Sequence, residues 1–168
     1  MKKVLAITTI LLLSLFAVVS IAGENLSWLT FDKGLAEAKK SDKKILVDVY
    51  TDWCGWCKRM DRDTYLNKEV AGYLAQQFVL VKLNAESDQR LHYKGKSYSE
   101  AEIAHSFHVT GYPTTLFFEP NGDHITSLSG YVKADEFLNI TKFIGENYYK
   151  TKKFEEYMHM QESGGKKQ

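Results

Sequence analysis

Val47-Asp48-Val49-Tyr50-Thr51-Asp52-Trp53-Cys54-Gly55-Trp56-Cys57-Lys58 joins an apolar, β-branched run to two cysteines three residues apart. The run, Ile45–Tyr50, reads as a buried strand. A helix is expected to begin at the cysteine pair and continue to about Leu66. Cys-x-x-Cys between a strand and a helix is the sequence form of a redox dithiol. The chemistry needs that placement. The attacking species is the thiolate, so the first cysteine must lose its proton near neutral pH. At a helix N-terminus its sulfur faces unpaired N–H groups and the positive end of the dipole, both of which favour the anion. Three residues on, Cys57 lies on the same side of the first turn and can attack a mixed disulfide on Cys54. Cys54 is thereby the candidate nucleophile and Cys57 the candidate resolving thiol.

Outward from this stretch the chain alternates helical and strand patterns. Upstream, Trp28, Phe31, Leu35 and Ala38 recur at helical spacing and end in polar Lys39–Asp42. Downstream, Asn67 can cap a helix running through Gln77 with Val70 and Leu74 inward, and Phe78–Leu83 is a second apolar strand. Residues 85–97 are polar, contain Gly95 and read as loop. Ser99-Glu100-Ala101-Glu102 fits a capping box, so a helix is expected over Glu100–Phe107. After the break at Gly111-Tyr112-Pro113, Thr114–Phe118 and Ile125–Ser129 read as a hairpin turning at Pro120-Asn121-Gly122-Asp123. Phe137, Ile140, Ile144 and Tyr148 mark one face of a last helix. Tyr148, Tyr149, Phe154 and Tyr157 are most simply a final helix covering the sheet. The first two strands, joined through a helix, are expected to be parallel and the hairpin antiparallel. The fold class is α/β, a central mixed β-sheet flanked by helices on both faces.

The N-terminus reads as an export signal. Met1-Lys2-Lys3 is positive, Val4–Val19 is almost wholly apolar, and Ser20-Ile21-Ala22 supplies small residues for cleavage before Gly23. The competing reading, an uncleaved membrane anchor, is weakened by Thr8, Thr9 and Ser14. Residues 1–22 are expected as signal peptide, 23–150 as one domain, and 151–168 as a C-terminal helical extension ending in a disordered tail from Ser163. The chain carries 22 basic and 21 acidic residues, and removal of Lys2 and Lys3 leaves 20 against 21. Such balance gives no reason to expect nucleic acid or an anionic membrane surface as partner. The two cysteines are the only ones in the chain. A bridge between them closes almost no loop and constrains the unfolded chain little, so their chemistry is the better reason for them.

The segment Val47–Lys58 resembles the active-site stretch of thioredoxins. The resemblance extends through Val81-Lys82-Leu83-Asn84, Gly111-Tyr112-Pro113-Thr114 and Gly130, over roughly residues 28–148, and is nearest to the exported thioredoxin-like thiol:disulfide interchange proteins of bacteria. It implies a thioredoxin fold and a role for each matching position. Asp48 matches the family's buried aspartate, which acts through water as general base for the resolving cysteine. Lys82 matches the lysine that pairs with it. Physically, burial raises a carboxyl pKa and a partner cation moderates the rise. Pro113 matches the cis-proline beside the dithiol, and Tyr112 would offer its backbone to a bound peptide. With Trp53, Gly55 and Trp56 these form the expected substrate-binding rim. From the residues alone Asp48 is a strand-end carboxylate with no assigned task.

Two positions depart from the family. Gly55-Trp56 stands where thioredoxin has Gly-Pro and strong oxidants have a histidine, and Arg62 stands where the family helix is kinked by proline. The segment from Asn84 to Pro113 is also longer than in thioredoxin. The expected activity is reduction of disulfides in other exported, periplasmic proteins, without a cofactor and with recharging by a membrane electron donor. A dithiol oxidase of the same fold is the nearest rival. In a copper-handling protein the same two thiolates would hold Cu(I), but no Met or His adjoins them. Zinc would need His105 and His108, whose spacing is shorter than usual. Covalent haem would need histidine where Lys58 stands.

Overall fold

Strand β2 (Lys44–Tyr50) is the centre of the sheet because both its faces are apolar. Every residue from Lys44 to Val49 is buried. In the computed structural model, which describes residues 26–165, β2 pairs on one side with parallel β3 (Phe78–Asn84) and on the other with antiparallel β6 (Thr114–Phe118). The two-residue strand β1 (Trp28–Leu29) lies parallel to the outer edge of β3, and β7 (His124–Ser129) runs antiparallel to β6. The five-stranded order is β1-β3-β2-β6-β7. The mixed sheet expected from the sequence is therefore present, with one further strand at its edge.

Alternation along β2 divides the core into two layers. Ile45, Val47 and Val49 face α1 (Phe31–Ser41), α4 (Glu100–Ser106) and the apolar residues Phe31, Ala38, Ile103 and Ala104. Leu46 faces α2 (Gly55–Met60), α3 (Lys68–Gln77) and α5 (Ala134–Gly145), against Met60, Leu74 and Phe137. By the same parity Asp48 belongs to the second layer, the one roofed by the helix that carries Cys57. Lys82 shares parity with Leu80 and reaches the same side. Helix α1 approaches β3 so closely that a Cβ on Gly34 would stand 2.2 Å from a Val81 methyl carbon.

Local chemistry explains the element ends. The Asn67 side chain accepts from the Glu69 and Val70 N–H groups and starts α3. At Ser99 and Glu102 the capping box is complete, each side chain accepting from the other's backbone N–H. Helix α2 does not continue as an α-helix to Leu66. From Asp61 to Tyr65 it widens into a π-turn, closed by the Leu66 N–H donating to the Asp61 carbonyl. Arg62, at the place of the family's proline, lies inside that turn. The wider turn resets the direction of the side chains that follow.

Several expectations need correction. Trp28 lies in β1 and not on α1, because parallel pairing to Leu80 claims its backbone. Residues 85–97 are not all loop: β4 (Arg90–Tyr93) and β5 (Lys96–Ser99) form an antiparallel hairpin. Its two-residue turn, Lys94-Gly95, has positive φ at both positions, the geometry that twists with its strands. Leu91 is buried beneath it, and the Tyr93 hydroxyl donates to the Gly122 carbonyl at 2.8 Å. Tyr148 is not on α5, which ends at Gly145; left-handed Asn147 separates the two. Tyr157 does not cover the sheet. It lies on α6 (Phe154–Gly165) and packs against Phe143 of α5 and against Tyr148. That helix also continues past Ser163, where a disordered tail was expected. The expected signal peptide and residues 166–168 lie outside the described residues.

Candidate active site

Cys54 is the N-cap of α2, in extended backbone geometry, and its sulfur accepts from the Cys57 N–H at 3.0 Å. The sequence places it there because Thr51-Asp52-Trp53 turns the chain: the Cys54 N–H donates to the Thr51 carbonyl. Cys54 and Cys57 are joined as a disulfide, with Cα atoms 5.3 Å apart, and both are almost fully buried. The Cys57 N–H at this helix N-terminus is a donor that stabilises a thiolate once the bond is reduced.

Asp48 lies beneath, 1% exposed. The Lys82 ammonium donates to its carboxylate and, at 2.6 Å, to Asp61. The Tyr65 hydroxyl donates to the other Asp48 oxygen at 3.2 Å and sits 3.3 Å from the Thr115 hydroxyl. Strand register brings Asp48, Lys82 and Thr115 side by side across β3, β2 and β6. The helix supplies the rest. Asp61 lies one turn after Cys57, and the π-turn aims Tyr65 into the same space.

Burial pushes the Asp48 carboxyl above its ordinary range, with Lys82 opposing the rise and Asp61 adding to it. For Lys82 burial acts downward, but attraction and hydrogen bonds from Asp48 and Asp61 prevail and its pKa is raised. Burial and the neighbouring Asp48 hold Tyr65 well above the usual phenol range, so it remains a donor. The ammonium is further flanked by the rings of Trp28, Tyr50 and Tyr65, at 4.6, 5.4 and 5.5 Å from their centroids. A buried carboxyl raised above its ordinary range and held by a protonated lysine is equipped to take a thiol's proton and return it.

The rim is aromatic. Trp53 is 66% exposed, stands edge-on to Tyr112 at 5.9 Å, and donates its indole N–H to both Glu86 oxygens at 2.9 and 3.0 Å. Trp56 is 54% exposed and leans on Tyr131 at 5.5 Å. The Arg59 guanidinium lies 5.1 Å from the Trp56 ring and 5.3 Å from that of Tyr131. Gly55 leaves the space around its Cα open, with nothing within 4 Å of a Cβ built there. The Tyr112–Pro113 bond is cis, and the Pro113 carbonyl accepts from Gly130 N–H at 2.8 Å, tying two loops together. His105 lies in the last turn of α4 and His108 follows that helix in left-handed backbone, both away from the element that carries the dithiol. Among the described residues no cluster of three or more His, Cys, Asp and Glu surrounds a common point.

The family model described as "Thioredoxin-like domain" matches residues 31–145. The chain belongs to the thioredoxin-like domain family. A thiol:disulfide interchange protein, DsbD, of Actinobacillus pleuropneumoniae is 30% identical over 153 residues, 77% of this chain and 25% of that protein. The corresponding protein of Haemophilus ducreyi is 35% identical over 98 residues, 57% of this chain and 16% of its own length. The chain thus spans about a quarter or less of the curated relatives it matches. A thioredoxin-fold protein from Helicobacter pylori superimposes with a TM-score of 0.62 at 24% identity, covering 73% of this chain and 86% of that one. The thioredoxin fold expected from the sequence is confirmed.

The resemblance directed attention to Asp48, Lys82, Tyr112 and Pro113. Asp61, Tyr65, Arg59, Glu86 and Tyr131 were missed. The signal for two of them was available: Asp61 and Tyr65 follow Cys57 at intervals of four, the spacing of one helix face.

Proposed function

We propose that the chain is a thiol-disulfide oxidoreductase that reduces disulfides in other exported proteins by exchange at Cys54 and Cys57. The observation that carries the reading is the joint placement of Cys54 at a helix N-terminus and of the Asp48–Lys82 pair beneath the helix that holds Cys57. In the reduced protein the Cys54 thiolate attacks one sulfur of a partner disulfide, forming one S–S bond and releasing the partner's other sulfur as thiolate. Asp48 takes the Cys57 proton, through water. The Cys57 thiolate then attacks the Cys54 sulfur, releases the partner's second thiolate, and closes the Cys54–Cys57 disulfide. Two electrons have passed to the partner, and a membrane electron donor must restore them.

Trp53, Gly55 and Trp56 border the entry, and the Tyr112 backbone ahead of Pro113 is suited to receive an extended peptide as an added strand. No cofactor takes part in these steps. The direction is set by stability of the reduced form. Gly55-Trp56 offers the Cys54 thiolate no histidine, so this loop lacks one means by which a strong oxidant stabilises its dithiol. Periplasmic action accords with the interchange proteins to which the chain is similar, and with the export signal read at its N-terminus.

The first test is insulin reduction with dithiothreitol as electron source. Wild type accelerates precipitation, and Cys54→Ser abolishes the acceleration; undiminished turnover in that variant would falsify the assignment of the nucleophile. Equilibration with glutathione then decides direction. A reductase lies near the thioredoxin value of about −270 mV and an oxidase near about −120 mV.

A further inference from the structure

We infer that the dithiol rim is a charge-polarised docking surface. It fits an extended cysteine-bearing segment of a partner protein that carries an acidic residue on one side of its cysteine and a basic residue on the other. The inference rests on the exchange reading above and adds which partners that exchange favours.

The rim has two aromatic walls, and each ends in opposite charge. On the first, Trp53 is held by Tyr112 and by the carboxylate of Glu86, from the segment after β3, with exposed Asp52 beside it. On the second, Trp56 and Tyr131 carry the Arg59 guanidinium across their rings. Arg59 and Arg62 share a single carboxylate, Asp63, at 3.2 and 2.7 Å, so that wall retains surplus positive charge. The Arg59 side chain is 51% exposed. Stacking pre-orients its fork and leaves N–H donors to water, the state in which a guanidinium best receives an incoming carboxylate. Among the described residues four large hydrophobic side chains are exposed, and the two that are aromatic are Trp53 and Trp56. Both adjoin the cysteines. Exposed aromatics gathered at one place mark a contact surface; the fixed charges behind them give it a direction. In an extended segment two residues span about 7 Å. The charges of the fitting segment stand about that far from a cysteine laid against Cys54, one on each side.

The test uses two short peptides of identical composition, one with Asp two residues before and Lys two residues after its cysteine, the other reversed. Each is activated as a mixed disulfide with thionitrobenzoate. The Cys54 thiolate of reduced protein attacks the peptide sulfur and expels thionitrobenzoate. Cys57 then frees the peptide thiol and closes the protein disulfide, so two thiols form from one disulfide. At low salt one order reacts about tenfold faster than the other, and high salt narrows the gap. Exchanging the charges with Arg59→Glu and Glu86→Arg inverts the preference; Arg59→Gln alone moves the ratio toward one. Reading the ratio within each variant cancels any general loss of activity. Equal rates for the two orders in wild type, or a ratio unmoved by Arg59→Gln, overturn the inference while leaving exchange intact. If neither peptide releases thionitrobenzoate, the exchange reading itself falls.

Discussion

Cys57 and Asp48 have separable tasks, and substitution separates them. Once Cys54 has joined a partner through one sulfur bridge, release needs Cys57 to attack it. A serine hydroxyl is a far weaker nucleophile at neutral pH. Cys57→Ser should therefore accumulate high-mass species on non-reducing gels that vanish on reduction, and the double variant Cys54→Ser/Cys57→Ser should lack them. A trap variant that stays monomeric where wild type is active would point to metal binding by the thiolates instead. Asp48→Asn removes the proton acceptor and should slow release of the mixed disulfide by about 10²–10⁴-fold; rates equal to wild type from pH 6 to 9 would return Asp48 to a structural part. The same variant makes an opposite prediction for stability. Unfolded, the carboxyl titrates near its ordinary value of 3.8, and burial raises it in the folded protein. Between those two values the native state holds a proton that the unfolded state has lost, so stability falls as pH rises through the window. Asparagine does not titrate, and Lys82 keeps Asp61 as partner in the variant. Asp48→Asn should then lose less stability than wild type as pH rises through that window, which denaturant unfolding across pH measures. A variant whose stability falls with pH as steeply as that of wild type contradicts this account.

At the scale of elements, local signals were legible where side chains answer backbone groups directly. Asn67 and the Ser99/Glu102 box announce their helices because the cap is made within four residues. Ser99→Ala should cost about 1 kcal/mol in denaturant unfolding, and no change in midpoint would show that the β5 pairing alone sets the start of α4. The hairpin of β4 and β5 was harder to read. Its turn is Lys94-Gly95 in place of the usual Asn-Gly, and its apolar alternation is only Leu91, Tyr93 and Tyr98. What holds it is distant: the backbone of His92 donates to Asp32 of α1 at 2.7 Å, and Tyr93 reaches Gly122. No local pattern contains those partners. The π-turn was invisible for a related reason. Its sequence, Asp61–Tyr65, is unremarkable for a helix, and the widened geometry is fixed by Tyr65 fitting against Asp48 and Thr115. The dithiol itself was fully legible, since chemistry and fold sit in one continuous stretch, whereas Glu86 and Tyr131 acquire meaning only through contacts made by folding.

At the scale of the molecule, the segment after Lys150 is more than an appendage. Tyr157 is fully enclosed by Phe143, Tyr148 and Phe154, on the outer side of α5. Tyr157→Ala should cost about 3 kcal/mol while leaving the ratio of exchange rates among substrates unchanged. A loss below about 0.5 kcal/mol, the range of ordinary surface changes, would mean that α6 docks without contributing to the fold. The whole chain also has a peculiarity of placement. It holds three tryptophans, and all surround one small region: Trp53 and Trp56 each directly precede a cysteine, and Trp28 lies against the Lys82 ammonium. A disulfide quenches a neighbouring excited indole by accepting an electron, and a thiol pair does so far less. The ultraviolet emission of this protein therefore comes almost wholly from its dithiol neighbourhood. It should brighten on reduction before any unfolding takes place, so that light alone, without a label, follows each turnover in a stopped-flow cell.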